Sequence, residues 1–232
     1  EKEYRKVLEI MRSSQDQEFL CRRTRDLALY LGLQGKCDKA LVAAKESLDL
    51  AFSFGSAGEI EVVRTLTLYG IVCLKCEKLD KAEEYFTQSI TLGQKLRTHL
   101  DAAPMHLATV YEGLKTFDKA EHFYQLSLTE ARIFGRHYFE CGDLTGLVRV
   151  KHAQNNYIAI PPLWTDAEQL AQQYEYNDYL SSLYLTRGHI TWDGLIPEWE
   201  DGFDYALHYY QYALIHALRF NRFLLDEALF CL

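Results

Sequence analysis

The sequence predicts an all-α fold, a right-handed superhelical solenoid of antiparallel helix–turn–helix repeats, on three observations. A short phrase recurs at nearly equal intervals: Asp38-Lys39-Ala40, Asp80-Lys81-Ala82 and Asp118-Lys119-Ala120. The same pattern of small and large residues follows each copy. A second amphipathic stretch ending in a short polar turn precedes each copy. A period of about 40 residues with helical spacing marks stacked helix pairs.

The register carries the prediction. After the phrase come Ala40, Ala43, Ala44, Ser47, Leu48 and Ala51; then Ala82, Tyr85, Phe86, Ser89, Ile90 and Gly93; then Ala120, Phe123, Tyr124, Ser127, Leu128 and Ala131. Each set follows the i, i+3, i+4, i+7 spacing of one helix face. A further copy without the lysine keeps the face: Ala206, Tyr209, Tyr210, Ala213, Leu214 and Ala217. A small residue opening the face lets a neighbouring helix approach, and the aromatic one turn later fills the space so created. The aspartates are expected to cap the helix N-termini and to suit their positive dipole ends, with Lys39, Lys81 and Lys119 in solvent.

Upstream lie "RDLALYLGLQGKC", "TLTLYGIVCLKCEKL" and "MHLATVYEGLKTF", in which Ala28, Gly70 and Ala108 each stand at one fixed distance before their alanine. Neither helix of such a pair can bury its apolar side alone, and stacking on the next pair solves this. The expected units are 19–57, 58–98, 99–135, 136–176 and 177–220, within one domain spanning 1–232. Residues 1–18 end a preceding unit and 221–232 begin a following one. The fourth unit is degenerate, and Pro161-Pro162 sets the start of its second helix. The fifth pairs "DYLSSLYLTRGHITW" with "FDYALHYYQYALIHALRF" across a longer insert, 193–202.

These residues resemble the tetratricopeptide repeat, in which a small residue sits in the first helix and an alanine opens the second. Units of roughly 40 residues, longer than the usual repeat, resemble the sensor arrays of bacterial signal-transduction (STAND-type) ATPases and related regulators. The resemblance implies a cytoplasmic module that binds a protein or peptide segment on the concave surface lined by first helices. It also implies other domains of the same longer chain as partners, and ligand binding that releases an inhibited state. In the register above, the positions 18 before each alanine are Arg22, Arg64 and Ala102; those 15 before are Arg25, Thr67 and Met105; those 11 before are Leu29, Ile71 and Thr109. The concave candidates are thus Arg22, Arg25, Arg64, Thr67, Met105 and Thr109, joined by His189 and Trp192 from the fifth unit. The three arginines suit an acidic ligand, unless they pair with acidic neighbours such as Glu18 or Asp26. Trp199 in the insert is a candidate partner contact, the alternative being that the insert folds back onto the core. The Lys/Asn set that grips a C-terminal carboxylate in chaperone-binding relatives has no counterpart here.

Composition bounds the alternatives. With 48% hydrophobic residues, 4 Pro and 13 Gly in 232 residues, there is ample core material and little turn chemistry for an all-β fold. The net charge of −8 disfavours nucleic acid. No apolar run reaches the ~18 residues of a membrane span. The 6 cysteines are scattered among apolar neighbours and read as reduced core residues. The chain starts in charged, helical "EKEYRKVLEI" and stops inside "RFLLDEALFCL", so a piece of a longer protein is expected.

No stretch reads as catalytic, and neither a metal nor a cofactor is expected. Cys73-x-x-Cys76 has half the spacing of a zinc site with no second half. "GLQGKCD" lacks the spacing, the Ser or Thr and the preceding strand of a phosphate loop. His208 and His216 lie two helical turns apart with no third ligand. Two other readings stand beside recognition: a self-assembling scaffold forming homo-oligomers, and a small-molecule receptor built on Tyr205, Tyr209, Tyr210, Tyr212 and Trp192.

Overall fold

The computed structural model describes residues 16–100, 102–194, 196 and 203–220. Among them are ten α-helices and no strand: α1 (Gln17–Leu33), α2 (Cys37–Ser53), α3 (Glu59–Lys75), α4 (Leu79–Leu96), α5 (Ala103–Gly113), α6 (Phe117–Ile133), α7 (His137–Ala153), α8 (Ile160–Gln173), α9 (Asn177–Trp192) and α10 (Phe203–Phe220). The fold is an all-α solenoid of helix–turn–helix repeats, as the register requires. None of the described helices is long and apolar enough to cross a membrane. The chain divides between Leu114 and Lys115 into two compact units.

In the first unit each helix packs on its neighbour in sequence, and the first helices α1, α3 and α5 also touch in succession. In the second, α6 packs on α7, α7 on α8, α8 on α9 and α9 on α10, with α7 also touching α9. First helices therefore form one continuous layer in each unit, and second helices lie outside it.

The helix starts differ from expectation in one respect. Asp38, Asp80 and Asp118 are the second residues of α2, α4 and α6 rather than their caps, and the true cap positions, Lys36, Lys78 and Thr116, make no side-chain cap bond. The aspartates thus suit the helix dipole without capping, and Asp118 Oδ1 also accepts from Gln154 Nε2 at 3.1 Å. Asp16 does cap α1, its Oδ1 accepting from Phe19 N at 2.9 Å. The lysines that follow the three aspartates are exposed. Pro161 and Pro162 sit in the first turn of α8, where their missing N–H groups lose no bond.

The phrase alanines Ala40, Ala82, Ala120 and Ala206 are completely buried. Small residues face the aromatics that follow them. A Cβ added at Gly70 would lie 2.6 Å from the Phe86 ring, and one at Gly188 would lie 2.3 Å from Tyr210. Gly146 of α7 is filled in the same way by Tyr124 of α6. Gly70→Ala should therefore destabilise the protein by about 1–3 kcal/mol through overpacking, read as a lowered midpoint in urea unfolding. Gly113→Ala, where nothing lies within 4 Å, is the matched control and should not fall.

The serine two turns after the phrase alanine has a structural reason. Ser47 Oγ donates to Cys21 O of α1 at 3.0 Å, and Ser89 Oγ to Val63 O of α3 at 2.9 Å. In the fifth pair the donor changes sides: Ser181 of α9 donates to Ala213 O of α10 at 2.8 Å. In the fourth pair Cys141 Sγ points at Ala167 O, 3.7 Å away. Each is a buried cross-helix clip, and two first-helix cysteines take part through their thiols, Cys21 Sγ donating to Ser47 O at 3.3 Å and Cys141 Sγ facing Ala167 O.

The cysteines as a set depart from expectation. Cys37, the first residue of α2, and Cys76, the C-cap of α3, form a disulfide with Cα atoms 5.6 Å apart. Both are half-buried. Sequence spacing reads Cys73 and Cys76 as neighbours, whereas helix pairing brings Cys76 to a residue 39 positions away. Cys21, Cys73 and Cys141 are buried free thiols.

Candidate functional site

In the first unit, α1 and α3 bring the arginines together around one acid. Arg25 of α1 forms an ion pair with Glu61 of α3, and Arg64 of α3 lies 3.7 Å from the same carboxylate. The side chains of Arg25 and Glu61 are only 17% and 7% exposed, while that of Arg64 is 50% exposed. Two cations thus share one buried anion, and the outward-facing charge resides on Arg64. Arg22 is paired with Glu18 one turn back on α1. Asp26 pairs with Arg23 at 3.0 Å. Glu61, which the register did not single out, is the acid that organises this end of the layer.

Thr67 is buried, its Oγ1 2.7 Å from Ser89 Oγ and 3.1 Å from Val63 O. Its hydroxyl is spent inside the α3–α4 pair and is not offered to a ligand. Met105 and Thr109 of α5 are half-buried, and Thr109 Oγ1 donates to Met105 O at 3.1 Å. Between them His106 stacks on Phe86 with ring centres 5.7 Å apart. Burial, with help from Lys75, pushes its imidazole down to about 4, so it is a neutral packing residue near neutrality.

In the second unit, α7 and α9 supply the layer. Arg149 of α7 donates to Ser182 Oγ of α9 at 3.3 Å and to Tyr124 OH of α6 at 3.2 Å. His189 of α9 has its Nδ1 3.2 Å from Tyr210 OH of α10. His152 of α7 is half-buried, and burial first, then repulsion from His189, lowers its pKa, with Asp193 opposing. Trp192 is 56% exposed at the end of α9. Arg149 stands at the same distance before Ile160 as Leu29, Ile71 and Thr109 do before their alanines. The signal was in the register, but Ile160 in place of alanine hid it.

Tyr209, Tyr210 and Tyr212 of α10 are used in packing. Arg187 lies between the rings of Trp164 and Tyr209, 5.2 and 4.7 Å from their centres. Tyr184 stacks on Tyr209 and His216 and donates to Glu168 Oε1 at 2.8 Å. Tyr210 is buried against Gly188, while Tyr205 and Tyr212 are exposed. His216 Nδ1 is 2.7 Å from Asn177 Oδ1, and His208 lies edge-on to Tyr212. Among the described residues no three His, Cys, Asp or Glu side chains are placed to hold a metal ion. Cys76 is committed to the disulfide, and burial pushes the Cys73 thiol up to about 11. Gly35 of "GLQGKCD" forms the left-handed corner of the α1–α2 turn, with φ of 69°. Trp199 lies outside the described residues; from the insert, Ile196 is buried.

Fold and layer geometry together define an all-α helical-repeat protein. The chain is similar in structure to the apo form of RapI, with a TM-score of 0.74 and 18% sequence identity, over 98% of this chain and 89% of that one. It also matches BtubC (BKLC) from P. vanneervenii, with a TM-score of 0.47 and 15% identity, over 99% of this chain and 85% of that one. No family model and no curated protein sequence matches the chain.

Proposed function

We propose that the chain is a non-catalytic recognition module that binds a protein or peptide segment, acidic in character, along its first-helix layers. The observation that carries this reading is the placement of Arg22, Arg25 and Arg64 on one such layer and of Arg149, His189 and Trp192 on the other. Of these, Arg22, Arg64 and Trp192 are exposed, in a protein whose net charge is −8. Positive groups held on an acidic molecule select anionic partners electrostatically. RapI, described in an apo form, supports a ligand-taking role for this fold. By resemblance, the module is the sensing part of a larger bacterial signalling ATPase or regulator. A ligand would act there by preferring one of two states of the array.

The test is a titration of fluorescent acidic peptides against the wild type and an Arg22→Ala/Arg64→Ala variant. Arg25 is left in place, because removing it strands the buried Glu61 and destabilises the fold. Binding weakened about tenfold or more, and more so at low salt, is expected. Unchanged affinity at every salt concentration dismisses the arginine role. A second reading, assembly, is favoured by exposed Phe52 on a groove of about 390 Å³ lined also by Val62, Leu66 and Leu92, with Val42 and Ile60 exposed elsewhere in the same unit. Light scattering that grows with concentration in the absence of ligand would select it.

A further inference from the structure

Among the described residues, solvent access divides the cysteines into two kinds. Cys21, Cys73 and Cys141 are free thiols with no exposed surface. Cys37 and Cys76 are half-buried and bonded to each other. The sulfurs that a dissolved reagent can reach are therefore the two that are already paired.

The bond joins equivalent turns of successive helix pairs, just after Gly35-Lys36 and just before Glu77-Lys78. The next repeat fills the same positions without cysteine. Leu79 stands as far before Ala82 as Cys37 does before Ala40, and Leu114 as far before Ala120 as Cys76 does before Ala82. Leucines serve the stacking there, so the cysteine pair adds chemistry that the fold does not call for.

The two sulfurs sit at helix ends of opposite sign. Cys37 is the first residue of α2, at a positive dipole end, which favours a thiolate. Cys76 is the C-cap of α3, at a negative dipole end, which disfavours one. Neighbouring charge in sequence is the same at both: Lys36, Asp38 and Lys39 around Cys37, and Lys75, Glu77 and Lys78 around Cys76. The dipoles thus set the order of reactivity. Among the described residues no three His, Cys, Asp or Glu side chains are placed to hold a metal ion, so the pair is not part of a zinc site.

We propose that Cys37 and Cys76 form a reversible redox pair, opened by a dithiol and closed by a hydroperoxide, with Cys37 as the reactive sulfur. Opening begins when a thiolate of the dithiol attacks Cys76 Sγ. The S–S bond breaks, its electron pair leaves on Cys37 as thiolate, and a mixed disulfide forms on Cys76. The second thiolate of the dithiol attacks the reductant's own sulfur in that bond. Cys76 leaves, takes a proton, and the dithiol becomes a disulfide. In closing, the Cys37 thiolate attacks the hydroperoxide, the O–O bond breaks, and the departing oxygen takes a proton as alcohol or water. The Cys76 thiolate then attacks the Cys37 sulfenic acid, hydroxide leaves as water, and the S–S bond is restored. Two electrons pass from dithiol to hydroperoxide in each cycle. The proposal stands apart from peptide recognition and asks nothing of it.

The test follows the intact chain by peptide mass spectrometry, which also separates this linkage from any bond made by Cys231, outside the described residues. A dithiol at neutral pH should open Cys37–Cys76 without denaturant, and hydrogen peroxide should close it again. In the reduced chain, iodoacetamide should alkylate Cys37 roughly tenfold faster than Cys76 or more, and leave Cys21, Cys73 and Cys141 unlabelled. With peroxide and dimedone present, Cys76→Ser should carry the sulfenic acid adduct on Cys37, and Cys37→Ser should carry none on Cys76. The wild-type alkylation rates keep the assignment testable if either variant fails to fold. A bond that opens only in denaturant, a bond that peroxide does not restore, or a Cys76 that reacts ahead of Cys37 overturns the proposal.

Discussion

Reduction of the Cys37–Cys76 disulfide should lower the stability of the protein by about 4 kcal/mol. The bond closes a loop that contains α2 and α3, its ends 39 positions apart in sequence. On the chain-entropy account, releasing a loop of that size returns about this much freedom to the unfolded chain. The loss should fall on the first unit, because the bond ties the start of α2 to the turn that leads from α3 into α4. Urea unfolding with and without a reducing agent measures it, and a Cys37→Ser/Cys76→Ser variant should match the reduced protein. Cys73, one turn before Cys76, does not confuse the test. Its thiol is buried and pushed up to about 11, so little thiolate exists at neutral pH to exchange with the pair. Superimposable unfolding curves for the oxidised, reduced and double-serine forms would remove the bond from the account of stability.

Replacing Asp143 with asparagine should change how stability responds to pH. Asp143 lies on α7 with none of its surface exposed, and neither carboxyl oxygen has a hydrogen-bond partner among the described residues. Ser127 is near but in no bond of acceptable geometry. Burial is the main cause that pushes the carboxyl up to about 8. An unfolded chain loses this proton near pH 4, whereas the folded chain keeps it until about pH 8. Between those values the folded state binds more protons, so stability falls as pH rises, by up to about 1.4 kcal/mol per pH unit from this group. Below pH 4 and above pH 8 its contribution is level. Asp143→Asn cannot ionise, so its stability should match the wild type near pH 4 and exceed it increasingly towards pH 8. Parallel curves from denaturant unfolding across that range would show that the buried carboxyl is not the source.

Much of the fold was legible because one helix face repeats in register. Ala82 and Ala120 are buried where the spacing put them, and Phe86 and Tyr124 fill the gaps beside them. Caps were less legible, because an aspartate at the second helical position and one at the cap look alike in sequence. The disulfide was not legible at all. Cys37 and Cys76 sit in turns of successive units, and only helix stacking brings those turns together. Asp143 was hidden for a related reason: it stands between Gly142 and the apolar run that follows, with nothing in the spacing to mark it as dry. The candidate site divides in the same way. Pairing of the arginines with acidic neighbours was an open alternative, and Arg22 does pair with Glu18, but the acid shared by Arg25 and Arg64, Glu61, belongs to no repeated pattern and was not named. Thr67 was read as lining a groove, yet its hydroxyl is consumed by Ser89. Arg149 was missed where the fourth unit departs from alanine.

The clip between paired helices has a consequence for how such arrays can vary. Its donor is Ser47 or Ser89 on the outer helix in two pairs and Ser181 on the inner helix in another. At these crossings one short polar hydrogen is contributed by either side, and in the fourth pair it is the Cys141 thiol. Two positions are therefore free to drift singly so long as they do not lose the donor together. Members of such a lineage will look unrelated when columns are compared one by one, and related when the columns are compared in twos.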